Sequence, residues 1–138
     1  MPFMYADKIE TLAREKHYRA MVIEDEPVVA GFLVEMLKEL GFVVERFDDG
    51  MHGAARICRQ KFDLLVLNWD SEDSWDGKEI LDSLSCAEVP LPKVVVVFDE
   101  KNYSVSTDTD ILITGFLFKP FTAQQVVDQV WKVVNGMA

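Results

Sequence analysis

Acidic, amide and lysine side chains follow three apolar runs of the sequence. Glu24 and Asp25 come at the end of "AMVIE", "DLLVLN" ends in Asn68 with Asp70 two residues further on, and Lys119 follows "GFLF". Carboxylate oxygens are the ligands that hard divalent cations prefer, and a lysine can contact a phosphoryl group. The pattern predicts either a site for a divalent cation and a phosphoryl group or an acidic cluster that Lys119 neutralises without any metal.

Five apolar runs alternate with helical patterns along the chain. The runs are "AMVIE", "FVVERF", "DLLVLN", "KVVVVF" and "GFLF". This alternation predicts an α/β fold, a doubly wound parallel sheet of five strands with helices on both faces. Functional crevices of such sheets lie beyond the carboxyl ends of the strands, which is where the acids and the lysine are expected to converge.

Local signals set the predicted helix ends. Pro27 suits the first turn of one helix and Gly41 its end, and a Thr-x-x-Gln capping box at Thr122 begins the last helix. The fourth helix of the main domain should lie in "EKNYSVSTDTDILIT", which is rich in poor helix formers. We therefore predict a short or irregular helix there, and the least ordered segment of the domain from Lys101 to Thr114.

The first residues form a separate pattern. Apolar side chains recur there at helical spacing, namely Tyr5, Ile9, Leu12 and Ala13. Asp7 and Glu10 have the spacing of a capping box. We predict an N-terminal amphipathic helical extension over 1–18 and a main domain over 19–138. The helix can pack on its own domain or serve as a contact for a dimer or another partner.

Composition restricts the class of protein. The chain has 138 residues and a formal net charge of −10, and a phosphate backbone requires a basic surface, so no nucleic acid partner is expected. No apolar run has the length of a membrane span, and the N-terminus lacks the layout of a signal peptide. Cys58 and Cys86 have neither metal nor redox spacing. We expect a cytoplasmic protein without membrane contact.

Taken together, "VIEDEP", "DLLVLN", "GFLFKPF" and the capped last helix resemble the receiver domain of bacterial response regulators, of the chemotaxis-regulator type. The resemblance extends over about 18–135 and implies a flavodoxin-like strand order 2-1-3-4-5. It implies that Glu24 and Asp25 are the acidic pair that binds magnesium and that Asp70 lies where a backbone carbonyl completes the metal shell. Lys119 matches the phosphate-contacting lysine, whose bond to Pro120 is cis in the family.

The departures from the family pattern fall on the residues that carry its chemistry. Asn68 stands at the position of the phosphate-accepting aspartate. Val97 stands at the position of the switch threonine or serine, or Phe98 does if the alignment shifts by one residue, and Phe116 matches the switch aromatic. An amide is neither charged nor usefully nucleophilic, and valine donates no hydrogen bond. The resemblance therefore implies a degenerate receiver that retains Lys119.

The favoured hypothesis is a stand-alone degenerate receiver that is not an enzyme. It would act as a phosphorylation-independent interaction module in two-component-type signalling, binding a histidine kinase or a regulatory protein, with a homodimer also possible. No cofactor is expected beyond a weak or vestigial magnesium site at Glu24, Asp25 and Asp70. The alternative is a phosphotransfer-competent receiver that uses Asp70 as acceptor, and a weaker one is a small-ligand sensor that uses the vacated crevice.

Overall fold

A sheet of five parallel strands lies at the centre of the computed structural model, which describes residues 4–70, 75–99 and 113–137. The strands are β1 (Arg19–Ile23), β2 (Val43–Phe47), β3 (Leu64–Asn68), β4 (Lys93–Asp99) and β5 (Ile113–Lys119). Their order in the sheet is β2-β1-β3-β4-β5, and every neighbouring pair is parallel. The predicted fold class and strand order are confirmed.

Five α-helices are formed by the described residues. They are α1 (Ala6–Lys16), α2 (Pro27–Glu39), α3 (Gly50–Arg59), α4 (Gly77–Ser83) and α5 (Ala123–Met137), and a short 3-10 turn (Leu84–Cys86) follows α4. None of the helices in these ranges is both long and apolar enough to cross a membrane.

The two faces of the sheet are buried in two separate hydrophobic clusters. Leu64 and Val66 of β3 pack in the cluster formed with α1, α2 and α5, whereas Leu65 and Leu67 pack in the cluster formed with α3 and α4. Successive side chains of a strand point to opposite faces, so a strand covered on both sides is apolar throughout. All five residues of β3 are buried, which places its last residue, Asn68, at the edge of the core.

Several helix ends follow the local signals. Pro27 is in the first turn of α2, and the chain leaves that helix through Gly41, whose φ is 91°. A Cβ on Gly41 would lie 2.9 Å from the backbone oxygen of Glu10 in α1, a second reason for glycine at this position. The predicted capping box of α5 is confirmed, because Thr122 Oγ1 accepts a hydrogen bond from the backbone N–H of Gln125 (3.2 Å).

Two local predictions differ from the structure, and one helix cap was not predicted. The capping box predicted at Asp7 and Glu10 is wrong, because α1 begins after Tyr5 without a side-chain capping bond among the described residues, and Glu10 pairs with Arg14 (2.8 Å). The strand predicted as "GFLF" extends over seven residues as β5. A capping box of Asp76 and Glu79 begins α4 and was not predicted.

The N-terminal helix packs on the main domain. Ile9 and Ala13 are fully buried in the cluster with α2 and α5, and the ring of Tyr5 stacks on Trp131 of α5 with centroids 4.7 Å apart. The division into an extension over 1–18 and a main domain over 19–138 stays a prediction.

The predicted irregular helix and the predicted low order of the segment from Lys101 to Thr114 concern residues outside the described ranges. The exceptions are Ile113 and Thr114, which begin β5.

Candidate functional site

The Asn68 side chain connects two of the predicted site residues. It lies at the carboxyl end of β3 and is 7% exposed. Its Nδ2 donates hydrogen bonds to Glu24 Oε2 (3.0 Å) and to Asp25 Oδ1 (3.0 Å), both of which follow β1. The two hydrogens of one amide nitrogen therefore face two carboxylates.

The orientation of this amide is set by its surroundings. Asn68 Oδ1 accepts a hydrogen bond from the backbone N–H of Asp70 (3.2 Å). Exchanging the oxygen and nitrogen would turn the amide oxygen toward two carboxylates and its hydrogens toward another N–H. Such an arrangement has no hydrogen bonds, so the network itself determines which atom points where.

Glu24 is the most deeply buried charged group of the site, with an exposed fraction of 1%. Its Oε2 accepts hydrogen bonds from Asn68 and from the backbone N–H of Glu26 (3.1 Å). Burial raises the pKa of Glu24 above the ordinary glutamate value, although the Glu26 N–H and the positive charge of Lys119 act in the opposite direction. The site therefore holds this carboxylate against a desolvation penalty.

Lys119, at the end of β5, supplies the positive charge. Its Nζ lies 3.2 Å from Glu24 Oε1 and donates to Glu26 Oε2 at 2.7 Å. The contact with Glu24 is an ion pair without hydrogen-bond geometry, and Glu24 Oε1 has no hydrogen-bond partner among the described residues. Burial alone would lower the pKa of Lys119, but the Glu26 hydrogen bond and the Glu24 charge together raise it. Lys119 is therefore positively charged at neutral pH.

Glu26 is a site residue that the sequence reading missed. It is the third acid of "EDE" directly after β1, and its exposed side chain reaches across to Lys119. The third consecutive acid was a signal, but the pairing joins residues 93 positions apart and depends on the folded arrangement.

Asp70 lies beyond the end of β3, in a turn. Its Oδ2 accepts a hydrogen bond from the backbone N–H of Asp99 (2.9 Å), which ties the segment after β3 to the end of β4. Within 4–70, 75–99 and 113–137, no group of three or more His, Cys, Asp or Glu residues is arranged to hold a metal ion. The magnesium site at Glu24, Asp25 and Asp70 stays a prediction.

The predicted switch positions lie on different faces of the sheet. Val97 of β4 is the register partner of Asn68 and is buried in the cluster with α2 and α5. Phe98 belongs to the opposite cluster and stacks with Phe116 at 5.9 Å between centroids, and 39% of Phe116 is exposed. Val97 therefore occupies the strand position beside Asn68, whereas Phe116 contacts Phe98 on the other face.

The bond between Lys119 and Pro120 is cis, as the resemblance implied. The strand order, the acids after β1 and the lysine before this bond point to one family. Comparison with known protein families agrees, because the family model of the response regulator receiver domain matches residues 20–131. The chain belongs to the response regulator receiver domain family. The predicted place in two-component signalling is confirmed at this level.

Curated relatives of this receiver domain differ in length. The chain is 25% identical to the chemotaxis protein CheY of Pseudomonas aeruginosa over 124 residues, which cover 86% of this chain and 99% of the relative. It is 26% identical to the transcriptional regulatory protein QseB of Haemophilus influenzae over 121 residues, which cover 85% of this chain but 52% of the relative.

The fold is also that of solved receiver structures. The crystal structure of FixJ-N matches with a TM-score of 0.72 and 20% identity, covering 88% of this chain and 96% of the other. At this level of identity the likeness concerns the fold alone.

Proposed function

We propose that this receiver domain acts by binding a partner protein without being phosphorylated. The observation that carries the proposal is the Asn68 side chain, whose amide nitrogen donates to both Glu24 and Asp25 at the tip of β3. A carboxylate at this position could attack a phosphodonor. The amide cannot, because its nitrogen lone pair is delocalised and it carries no charge. The domain is accordingly proposed not to be an enzyme.

The residue beside Asn68 supports the same conclusion. Val97 is its register partner and has no hydroxyl that could donate to a phosphoryl oxygen. Lys119 is engaged by Glu24 and Glu26. The acids and the lysine therefore stabilise the arrangement of the strand ends in the absence of phosphate.

Asp70 is the acceptor in the alternative function. Its carboxylate accepts the backbone N–H of Asp99, and β3 ends two residues before it. These contacts give Asp70 a positioning role between two strand ends, which favours the phosphorylation-independent function.

A cleft beside Lys119 is the place where the partner would bind. It has a volume of about 590 Å³ and is lined mainly by apolar side chains of α2 and of the segment around Phe121, with Glu26 and Asp99 at its polar side. Val28 is 84% exposed and Phe32 39% exposed. Lys119 lines the same cleft and pairs with Glu26, so Asp99 is the acid that a lysine or arginine of the partner would meet beside these apolar side chains. We propose a histidine kinase or a regulatory protein as this partner.

Other expectations accompany this proposal. The net charge of −10 disfavours a nucleic acid partner. The cytoplasmic location, the absence of a cofactor and the possible homodimer stay predictions.

Incubation with acetyl phosphate and Mg²⁺ tests the proposal. The intact mass should remain that of the unmodified chain, because no nucleophilic carboxylate is presented at the Asn68 position. A receiver domain with an acceptor aspartate serves as the positive control under the same conditions. A stoichiometric phosphate adduct that maps to Asp70 and disappears in Asp70→Asn would instead establish the alternative function.

A further inference from the structure

The amide of Asn68 uses all of its hydrogen-bonding groups inside the site. Its nitrogen donates to Glu24 Oε2 and Asp25 Oδ1, each at 3.0 Å, and its oxygen accepts from the Asp70 N–H. Hydrogen bonds to charged groups are the strong ones, and these two join a nearly buried side chain to two acids. Asn68 therefore joins the two carboxylates through the two hydrogens of one nitrogen.

A divalent cation would have to compete with this amide. Magnesium binds oxygen ligands in a near-ideal octahedron, and an amide NH₂ group cannot ligate it. Rotating the amide to offer Oδ1 would break both bonds to the acids and turn Nδ2 toward the Asp70 N–H. Lys119 already faces Glu24 Oε1 from another side at 3.2 Å. As arranged, these residues do not fit a magnesium ion.

We propose that Asn68 actively excludes divalent cations from the acidic residues Glu24 and Asp25. This differs from the simpler idea that asparagine only lacks the charge of an aspartate. If Asn68 only lacked charge, removing its side chain would leave cation binding unchanged or weaker. If the amide blocks the site, removing it takes away the hydrogen bonds that occupy Glu24 Oε2 and Asp25 Oδ1, and binding becomes tighter although no ligand has been added.

The test compares cation binding by the wild type, Asn68→Ala, Asn68→Ser and Asn68→Asp. Mn²⁺ is the probe, because it broadens the NMR signals of nearby amides, and the signals of Glu24, Asp25 and Asp70 report on this site. Competition with Mg²⁺ extends the result to the diamagnetic ion. Serine has a single donor hydrogen, so it can bond only one of the two acids and provides a second variant that keeps a polar side chain.

We expect Asn68→Ala to bind Mn²⁺ at least about tenfold more tightly than the wild type, since the wild type must first break two charge-assisted hydrogen bonds. Asn68→Ser should lie between these two proteins. Asn68→Asp should bind most tightly, because it removes the same two hydrogen bonds and adds a carboxylate. If the alanine variant does not fold, the test depends on whether Asn68→Ser binds Mn²⁺ more tightly than the wild type.

Two outcomes would overturn the proposal. One is site-specific Mn²⁺ broadening in the wild type as strong as in the alanine or serine variant. The other is tighter binding by Asn68→Asp alone, with alanine and serine no better than the wild type. The proposal concerns the same residue as the proposed function but is independent of it, because a wild type that binds Mn²⁺ and still takes no phosphate would refute the exclusion and leave the function intact.

Discussion

Asn68 and Val97 lie opposite each other in the parallel register of β3 and β4. The backbone N–H of Trp69, the residue after Asn68, also donates to the carbonyl oxygen of Val97 (2.9 Å). The two residues at which the resemblance implies departures from the family pattern therefore meet at one point of the sheet. A switch requires an element that contacts the site differently in its two states, and a buried valine provides only packing.

The first prediction concerns this pair of residues. Asn68→Asp should return an acceptor without returning communication across the domain, because Val97 cannot bond a phosphoryl oxygen. After treatment with acetyl phosphate and Mg²⁺, NMR shift changes should be confined to the strand ends around residues 24–26 and 68–70. In Asn68→Asp/Val97→Thr, the changes should extend along β4 and β5 to Leu117. Intact mass measured on the same samples reports the phosphate adduct.

Val97→Thr alone is the control for this experiment. It places a hydroxyl in a buried position, at an expected cost of about 1–3 kcal/mol in the free energy of unfolding, and should show no response to the phosphodonor. A response of β5 in Asn68→Asp without the threonine would show that the connection does not need a hydroxyl at residue 97.

The second prediction concerns the packing behind Asn68. Gly77 begins α4, its N–H donates to the Trp69 carbonyl oxygen (3.1 Å), and a Cβ on Gly77 would overlap the Trp69 ring. Gly77→Ala should therefore lower the free energy of unfolding by about 1–3 kcal/mol, the usual effect of overpacking a buried contact. Urea unfolding provides the measurement.

Gly31→Ala is the matched control. Gly31 lies inside α2, and apart from its chain neighbours and the backbone of its own helix, a Cβ there would have no atom of the described residues within 4 Å. Alanine favours a helix over glycine, so this change should raise the free energy of unfolding by about 0.5–1 kcal/mol. Equal stability of the two alanine variants would mean that the Trp69 ring does not restrict residue 77.

The sequence predicted the sheet and the strand ends well, because both depend on local patterns. An uninterrupted apolar run such as "DLLVLN" identifies a strand buried on both faces, and its first polar residue marks where the core ends. The positions of Asn68, Glu24 and Lys119 followed from this. The capping box predicted at Asp7 failed because the same spacing of acids also occurs inside a helix, where Glu10 pairs with Arg14 one turn later.

Side-chain partners at the site could not be predicted in the same way. The Glu26 pairing with Lys119 and the Asp70 bond to Asp99 join separate strand ends, and each depends on a rotamer that only the assembled site determines. The bonds from Asn68 to two acids are of the same kind. The sequence therefore indicated that Glu24, Asp25, Asn68 and Lys119 lie together, but neither the part played by Glu26 and Asp99 nor which atoms are bonded.

The third prediction concerns the pH dependence of stability. Burial raises the pKa of Glu24 in the folded domain above its value in the unfolded chain. Between the unfolded and the folded pKa, the folded state holds a proton that the unfolded state has lost, so wild-type stability falls as the pH rises through this interval. Glu24→Gln is neutral at every pH. The free energy of unfolding of Glu24→Gln should therefore rise relative to that of the wild type as the pH rises. The difference between the two proteins should become constant above the pKa of Glu24 in the folded domain.

The structure allows the glutamine to keep the main contacts of Glu24. Its amide oxygen can accept from Asn68 and from the Glu26 N–H as Glu24 Oε2 does, and Lys119 keeps its partner Glu26 at 2.7 Å. Its Nε2 would face Lys119 Nζ in place of Glu24 Oε1, a loss that lowers stability by the same amount at every pH at which Lys119 is charged. Glu35→Gln removes the same charge from an exposed position of α2 and controls for the change in net charge. Urea unfolding of the three proteins from acidic to neutral pH gives the curves. If the difference between Glu24→Gln and the wild type instead shifts in favour of the wild type with rising pH, the ion pair with Lys119 outweighs the burial of Glu24, and ionised Glu24 stabilises the fold.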